Sequence, residues 1–155
     1  MSIHFFSENI DFNLKNKKPI RIWLNTVAQK EHSFIGTINF IFCSDNFLLK
    51  LNQEHLNHNT LTDIITFDYT DSSLNIKNRA AKNKSKNPLS GDIFISIPRV
   101  KENASSFQNS FKHELSRVMV HGLLHLLGYK DKKIKDKKMM REKENFYLEF
   151  QLPLV

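Results

Sequence analysis

The sequence predicts an α+β fold in which a small mixed sheet is covered by helices. Three observations carry this expectation. Short runs of β-branched and aromatic residues interleave with longer stretches of helical period. The chain of 155 residues fits one compact domain, 1–155, and can bury a core without disulfide or metal staples. At 40% hydrophobic and 25% charged residues, the composition excludes a disordered or fibrous chain. No internal repeat marks a solenoid or propeller.

Taken in order, Ile3 to Phe6 opens a strand. Between Ile20 and Lys30 the apolar residues Ile20, Trp23, Leu24, Val27 and Ala28 fall at helical spacing. Gly36 to Cys43 alternates Ile38, Phe40 and Phe42, as a half-buried strand does. Ser44 is placed to cap a helix whose Phe47, Leu48 and Leu51 share a face. Leu61 to Tyr69 is the next strand. From Asp71 to Ser90, Lys77, Arg79, Lys82, Lys84 and Lys86 stand among Asn and Ser, which predicts an exposed, mobile basic loop that solubilises the chain. Gly91 to Ile97 returns as a strand, and Pro98 suits the start of the next element. Pro98 to Leu127 predicts one long helix, with Phe107, Phe111, Leu115, Val118, Leu123 and Leu126 supplying its apolar contacts. Gly128 suits a left-handed helix end, and Met139 to Phe150 forms the last helix.

Charge and cysteine content narrow the function. Lys plus Arg is 23 against 16 Asp plus Glu, a net charge of +7, which favours a polyanionic partner such as nucleic acid or an anionic surface. The lone Cys43 excludes an intrachain disulfide, fits a reducing cytoplasm and reads as a small core residue. The first ten residues lack the basic-then-apolar pattern of a signal peptide, and no window is long and apolar enough for a membrane span. A soluble, cytoplasmic protein is expected.

The chemistry concentrates in Val120-His-Gly-Leu-Leu-His-Leu-Leu-Gly-Tyr-Lys-Asp131. Four helical residues turn the chain by about 40° beyond a full turn and rise about 6 Å, so His121 and His125 point the same way. Paired imidazoles on one helical face suit a borderline metal such as zinc. Gly128 stops the helix, and Asp131 can bring a carboxylate to the third corner. Three ligands leave a fourth position for water, the arrangement of a catalytic zinc rather than a structural one. The ion would lower the pKa of that water and polarise a phosphoryl or carbonyl oxygen. The residue after the first histidine is Gly122, whereas a His-Glu-x-x-His peptidase places its general base there. Glycine at that point either admits a bulky substrate beside the metal or eases helix packing.

His121 through Tyr129 resembles the signature of the YbeY family of bacterial metal-dependent endoribonucleases, also called rRNA maturation factors. Neighbouring segments agree in order: Leu51-Asn-Gln-Glu54, Thr62-Asp-Ile-Ile-Thr-Phe67, Gly91-Asp-Ile-Phe-Ile-Ser96 and Glu114-Leu115 resemble family segments. The likeness runs from about Ile35 to Leu148. It implies a zinc-like ion held by three side chains, one Zn2+ per chain. It also implies cleavage of single-stranded RNA in ribosomal RNA maturation (the 16S rRNA 3′ end) and in ribosome quality control, with ribosomal RNA and ribosomal subunit proteins as partners. Three positions depart from the family. Asp131 stands where the family has histidine, with Lys130 in place of an aspartate, which keeps a competent ligand but changes affinity and Lewis acidity. Leu56 stands where the family has an arginine thought to contact RNA or developing phosphate charge. Leu61 replaces a proline and changes only local stiffness.

The supporting features each have a plainer reading. Lys130, Lys132 and Lys133 open a basic run that extends to Lys143 and adjoins the proposed site, so they either hold an RNA backbone or form a solvated helix start. His113 and Glu114 lie about two helical turns before His121 and either support a ligand or, as charge favours, remain surface residues. His55 and His58 flank Leu56 and either contact phosphate or belong to a polar loop.

The expected function is a metal-dependent endoribonuclease with His121, His125 and Asp131 as ligands and no residue assigned as general base. Its rivals are a non-catalytic RNA-binding ribosome-assembly factor braced by a structural metal, and a zinc-dependent peptidase or amidase. The latter stays in view because Asp as third ligand after His-x-x-x-His also occurs in some metalloproteases.

Overall fold

In the computed structural model, which describes residues 2–56, 62–70 and 87–150, four strands form one sheet in the order β1-β2-β4-β3. They are β1 (Ser2–Glu8), β2 (Ile35–Cys43), β3 (Ile64–Asp68) and β4 (Leu89–Ser96). Among the described residues five helices accompany them: α1 (Lys17–Lys30), α2 (Asp45–Leu56), α3 (Ile97–Ser106), α4 (Phe111–Leu126) and α5 (Ile134–Glu149). β1, β2 and β4 run parallel, while β3 pairs antiparallel to β4. The expected α+β class with a small mixed sheet is what forms. No helix among the described residues is long and apolar enough to cross a membrane.

Alternation divides the sheet into two faces. Ile3, Ile38, Phe40, Phe42, Ile93 and Ile95 enter one cluster with Trp23, Leu24 and Val27 of α1 and Val118, Met119 and Leu123 of α4. The other face carries a smaller cluster, in which Cys43, Leu48 and Ile65 pack with Phe47, Leu51, Phe67 and Phe94 under α2. α2 starts as expected: the Ser44 hydroxyl accepts from the Phe47 amide at 3.1 Å. Cys43 is fully buried, and burial pushes its thiol pKa up to about 12, so it is packing material rather than a nucleophile.

Several boundaries differ from the expectation. The stretch from Pro98 to Leu127 is two helices. Gln108 takes a positive φ of 57°, and the Ser110 hydroxyl accepts from the His113 amide at 3.1 Å, which starts a new helix. Phe107 is consequently 57% exposed instead of in the core. The last helix begins at Ile134, five residues before Met139; its first turns are charged and carry no apolar period, so periodicity does not register them. Leu89 and Ser90 belong to β4 rather than to the preceding loop. The expected basic loop from Lys77 to Lys86, like His58 and Leu61, lies outside the described residues.

Candidate metal centre

α4 is the helix that positions the site. Its inner face packs on β3 and β4, and Gly122 explains how closely: a Cβ there would meet Ile93 Cγ2 at 2.9 Å and Ile64 Cδ1 at 3.1 Å. The glycine therefore serves helix-on-sheet packing, and the residue after the first histidine faces the sheet. A glutamate at that point would be driven into the core, so the His-Glu-x-x-His arrangement has no counterpart here.

His121 and His125 project together from the partly exposed side of α4, with their Nε2 atoms 2.9 Å apart. The chain then reverses. Gly128 adopts φ +106°, its amide donates to the His125 carbonyl at 3.0 Å, and the Tyr129 amide donates to the Leu124 carbonyl at 3.0 Å. These paired bonds close a helix end through a left-handed residue. Two residues later, Asp131 Oδ2 lies 3.2 Å from His121 Nε2 and 3.3 Å from His125 Nε2. The structure thus brings the three expected donors into one group, at the end of a central helix.

The outward nitrogens decide what this group can hold. His121 Nδ1 is 2.8 Å from the carboxylate of Glu144, which is 3% exposed. His125 Nδ1 is 3.0 Å from the Tyr129 carbonyl, which can only accept. With both Nδ1 atoms donating, neutral rings turn their Nε2 lone pairs toward each other and toward the Asp131 carboxylate. Three electron-pair donors facing one point repel unless a cation or proton lies between them. Their separations of 2.9, 3.2 and 3.3 Å approach the edge of about 3.3 Å expected for a tetrahedron with metal–ligand bonds of about 2.0–2.1 Å. The residues fit a zinc-like ion.

Electrostatics separate the two rings. Burial works against a charge on His121, but the hydrogen bond and charge of Glu144, with Asp131 and Asp63, raise its pKa above the ordinary imidazole value. Burial and the neighbouring His121 lower that of His125.

Sequence reasoning missed Glu144 and the groups that hold it. Arg117 Nη1 lies 3.3 Å from Glu144 Oε1, and Arg117 Nη2 lies 2.6 Å from Glu114 Oε2. The signal was a glutamate on the buried stripe of α5 between Met140 and Tyr147, all three under 4% exposed. Glu114, whose charge favours a surface position, is instead 1% exposed and pairs with Arg117; a carboxylate with a cation one turn away can follow a helix into the core. His113 is exposed, as expected.

A cleft of about 870 Å³ opens over the group. Its lining includes Lys132 just before α5, Lys137 and Arg141 within α5, Thr62, Asp63, Thr66 and Asp68 in and beside β3, and Asn52 of α2. Of the three lysines expected near the site, Lys132 lines the cleft, while Lys130 and Lys133 are exposed outside its lining. Lys137 and Arg141 belong to the same basic run, and the turn of α5, not adjacency in sequence, selects them from it. His55 is not part of the lining; its ring meets Phe67 edge-on at 5.7 Å, on the sheet face away from α4.

Known proteins share this architecture. The family model described as Endoribonuclease YbeY matches residues 2–151. The Endoribonuclease YbeY of Cytophaga hutchinsonii is 49% identical over 144 residues, covering 93% of this chain and 92% of that protein. That of Karelsulcia muelleri is 44% identical over 148 residues, covering 96% and 94%. A solution structure from Thermotoga maritima superposes with a TM-score of 0.64 at 28% identity, over 97% of this chain and 89% of that one. The similarity spans the whole architecture rather than the histidine motif alone.

Proposed function

Because this chain belongs to the Endoribonuclease YbeY family, we propose that its cleft cuts single-stranded RNA in a metal-dependent reaction, with residues 1–155 acting as one endoribonuclease domain. The observation that carries this reading is the convergence of His121, His125 and Asp131 on one point at the floor of a cleft lined in part by cations. One Zn2+ ion held by these three side chains supplies Lewis acidity to the scissile phosphodiester. Glu144 and the Tyr129 carbonyl keep both Nε2 atoms free to ligate. Lys132, Lys137 and Arg141 hold the phosphate backbone without reading sequence, and Lys130 and Lys133 add to the positive field around the entrance.

The biological setting that fits is the cytoplasm, with ribosomal RNA as substrate, ribosomal subunit proteins as partners, and maturation of the 16S rRNA 3′ end and ribosome quality control as the tasks. The packing of Gly122 on Ile93 counts against a peptidase of the His-Glu-x-x-His kind.

The test is cleavage of a labelled single-stranded RNA by the wild type and His121→Ala, purified side by side. Cutting by the wild type alone supports the proposal. Equal activity or equal inertness of the two overturns it and moves the RNA-binding assembly factor ahead. Metal removal separates the same two readings: an enzyme loses cleavage but stays folded, with only the modest fall in melting temperature that losing a bound ion entails, whereas a metal-braced binding protein unfolds.

A further inference from the structure

Glu31 comes directly after the last residue of α1 and is remote in sequence from the metal centre, yet its side chain is only 11% exposed. Three donors meet on its carboxylate. Tyr129 donates its hydroxyl to Oε1 at 2.5 Å, while the Tyr147 hydroxyl and Lys143 Nζ, the latter at 3.0 Å, donate to Oε2. Burial opposes the charge, but these three donors together hold the carboxyl below its usual range.

Two of the donors belong to α5, and they are enough to brace α1 against it. The third belongs to the turn after α4. Tyr129, Lys130 and Asp131 lie outside regular secondary structure, so no ladder of hydrogen bonds fixes their peptide planes. The Tyr129 amide is anchored on Leu124, its ring packs against the core with Lys143 over its face, and the hydroxyl bond to Glu31 fixes the ring's far end. That hold sets the orientation of the Tyr129 carbonyl, which receives His125 Nδ1, and the path of the chain to Asp131 two residues on. Rotation of the Tyr129–Lys130 peptide would free His125 to change tautomer and would carry the Asp131 carboxylate away from both imidazoles.

We propose that Glu31 is a positioning residue of the metal centre: by holding the Tyr129 hydroxyl it fixes the turn that orients His125 and presents Asp131. This rests on the reading of His121, His125 and Asp131 as metal ligands. A group that orients a ligand changes metal affinity by about 10–100-fold when removed.

The experiment uses the full chain stripped of metal. Zn2+ is titrated against a chromophoric chelator, Co2+ is added separately for its visible spectrum, and the metal-free melting temperature is recorded. The variants are Glu31→Gln, Tyr129→Phe and Tyr147→Phe. Glu31→Gln and Tyr129→Phe are expected to bind Zn2+ at least about tenfold more weakly, with an altered Co2+ spectrum. Tyr147→Phe is expected to lower the metal-free melting temperature at wild-type affinity. Tyr129→Phe keeps both α5 donors on Glu31, so it reports on the turn even where Glu31→Gln melts early. If Tyr129→Phe and Glu31→Gln bind Zn2+ as tightly as the wild type, Glu31 is only a brace and the proposal is overturned. If the wild type takes up no metal, the ligand reading falls and the positioning role falls with it.

Discussion

Replacing Glu144 by glutamine keeps the shape of a side chain that is 3% exposed and removes its charge. In the wild type this carboxylate hydrogen-bonds His121 at 2.8 Å and Arg117 at 3.3 Å, one on each oxygen, with Arg141 Nη1 3.8 Å from the oxygen that Arg117 holds. The amide has a single oxygen to offer, so one of the two charge-assisted bonds is lost and an N–H is turned toward a donor. A hydrogen bond to a charged group contributes about 1.5–3 kcal/mol. Arg117 keeps Glu114, which limits the damage, so a loss of about 2 kcal/mol is expected for metal-free protein. For a chain of this size that corresponds to a fall in melting temperature of about 4–8 °C. The larger effect is on the metal, whose affinity should drop about 10–100-fold because His121 is no longer held in one tautomer. At a free Zn2+ concentration about 100 times the wild-type Kd, the ion stabilises the wild type by about 2.7 kcal/mol and the variant by only about 0.4–1.4 kcal/mol. The assay is thermal melting with and without Zn2+, paired with chelator competition. Equal Zn2+-induced stabilisation in both proteins would refute the reasoning, because Glu144 would then be an ordinary buried acid with no hold on the metal centre.

Three further outcomes are expected. Gly122→Ala should destabilise by about 1–2 kcal/mol in urea unfolding despite the better helix propensity of alanine, since its Cβ would press on Ile93, which is fully buried and cannot yield cheaply; a stabilised variant would contradict the packing role. In RNA binding measured against salt, Lys137→Ala and Arg141→Ala should each lower affinity and reduce the log–log slope by about 0.7, while Lys130→Ala and Lys133→Ala leave the slope nearer the wild type; the reverse order would place the RNA elsewhere. Asp45 links α2 to the start of α3, accepting from the Ser96 hydroxyl at 2.5 Å and from Arg99 Nη2 at 3.1 Å. Burial works against its charge, but those bonds and the Arg99 charge hold its pKa below the ordinary 3.8. A lowered folded-state pKa gives stability that is present above the unfolded value and lost as pH falls through the folded one. Asp45→Asn should therefore be less stable than the wild type at about pH 6, with the gap closing under acid, and a gap constant down to about pH 2 would rule this linkage out.

The histidine pair, the glycine that ends its helix and the carboxylate three residues later were legible as one chemical unit because all of them lie within eleven residues, where helical geometry pairs the imidazoles and the short turn after the helix keeps the carboxylate near them. The strands were legible where alternation was strict, as at Ile38, Phe40 and Phe42. The break at Gln108 was not, because apolar residues continue at helical spacing through Phe107 and Phe111, and the cap at Ser110 is a local competition that periodicity does not register. Glu114 reads toward the surface because charge predicts exposure until a partner of opposite sign is brought alongside.

By itself, then, the sequence determined the fold class, the strands and helices with strong period, and the grouping of His121, His125 and Asp131. These depend on short-range geometry, which residue order encodes directly. Only the tertiary structure decided that Glu144, 23 residues beyond His121, and Glu31, 98 residues before Tyr129, sit at the same centre. It also decided that Lys132, Lys137 and Arg141, with Arg117, are the cations lining the cleft among the described residues. Those choices stem from the packing of α1 and α5 around α4, where burying apolar stripes such as Met140 and Tyr147 carries the intervening polar groups inward to the partners that satisfy them.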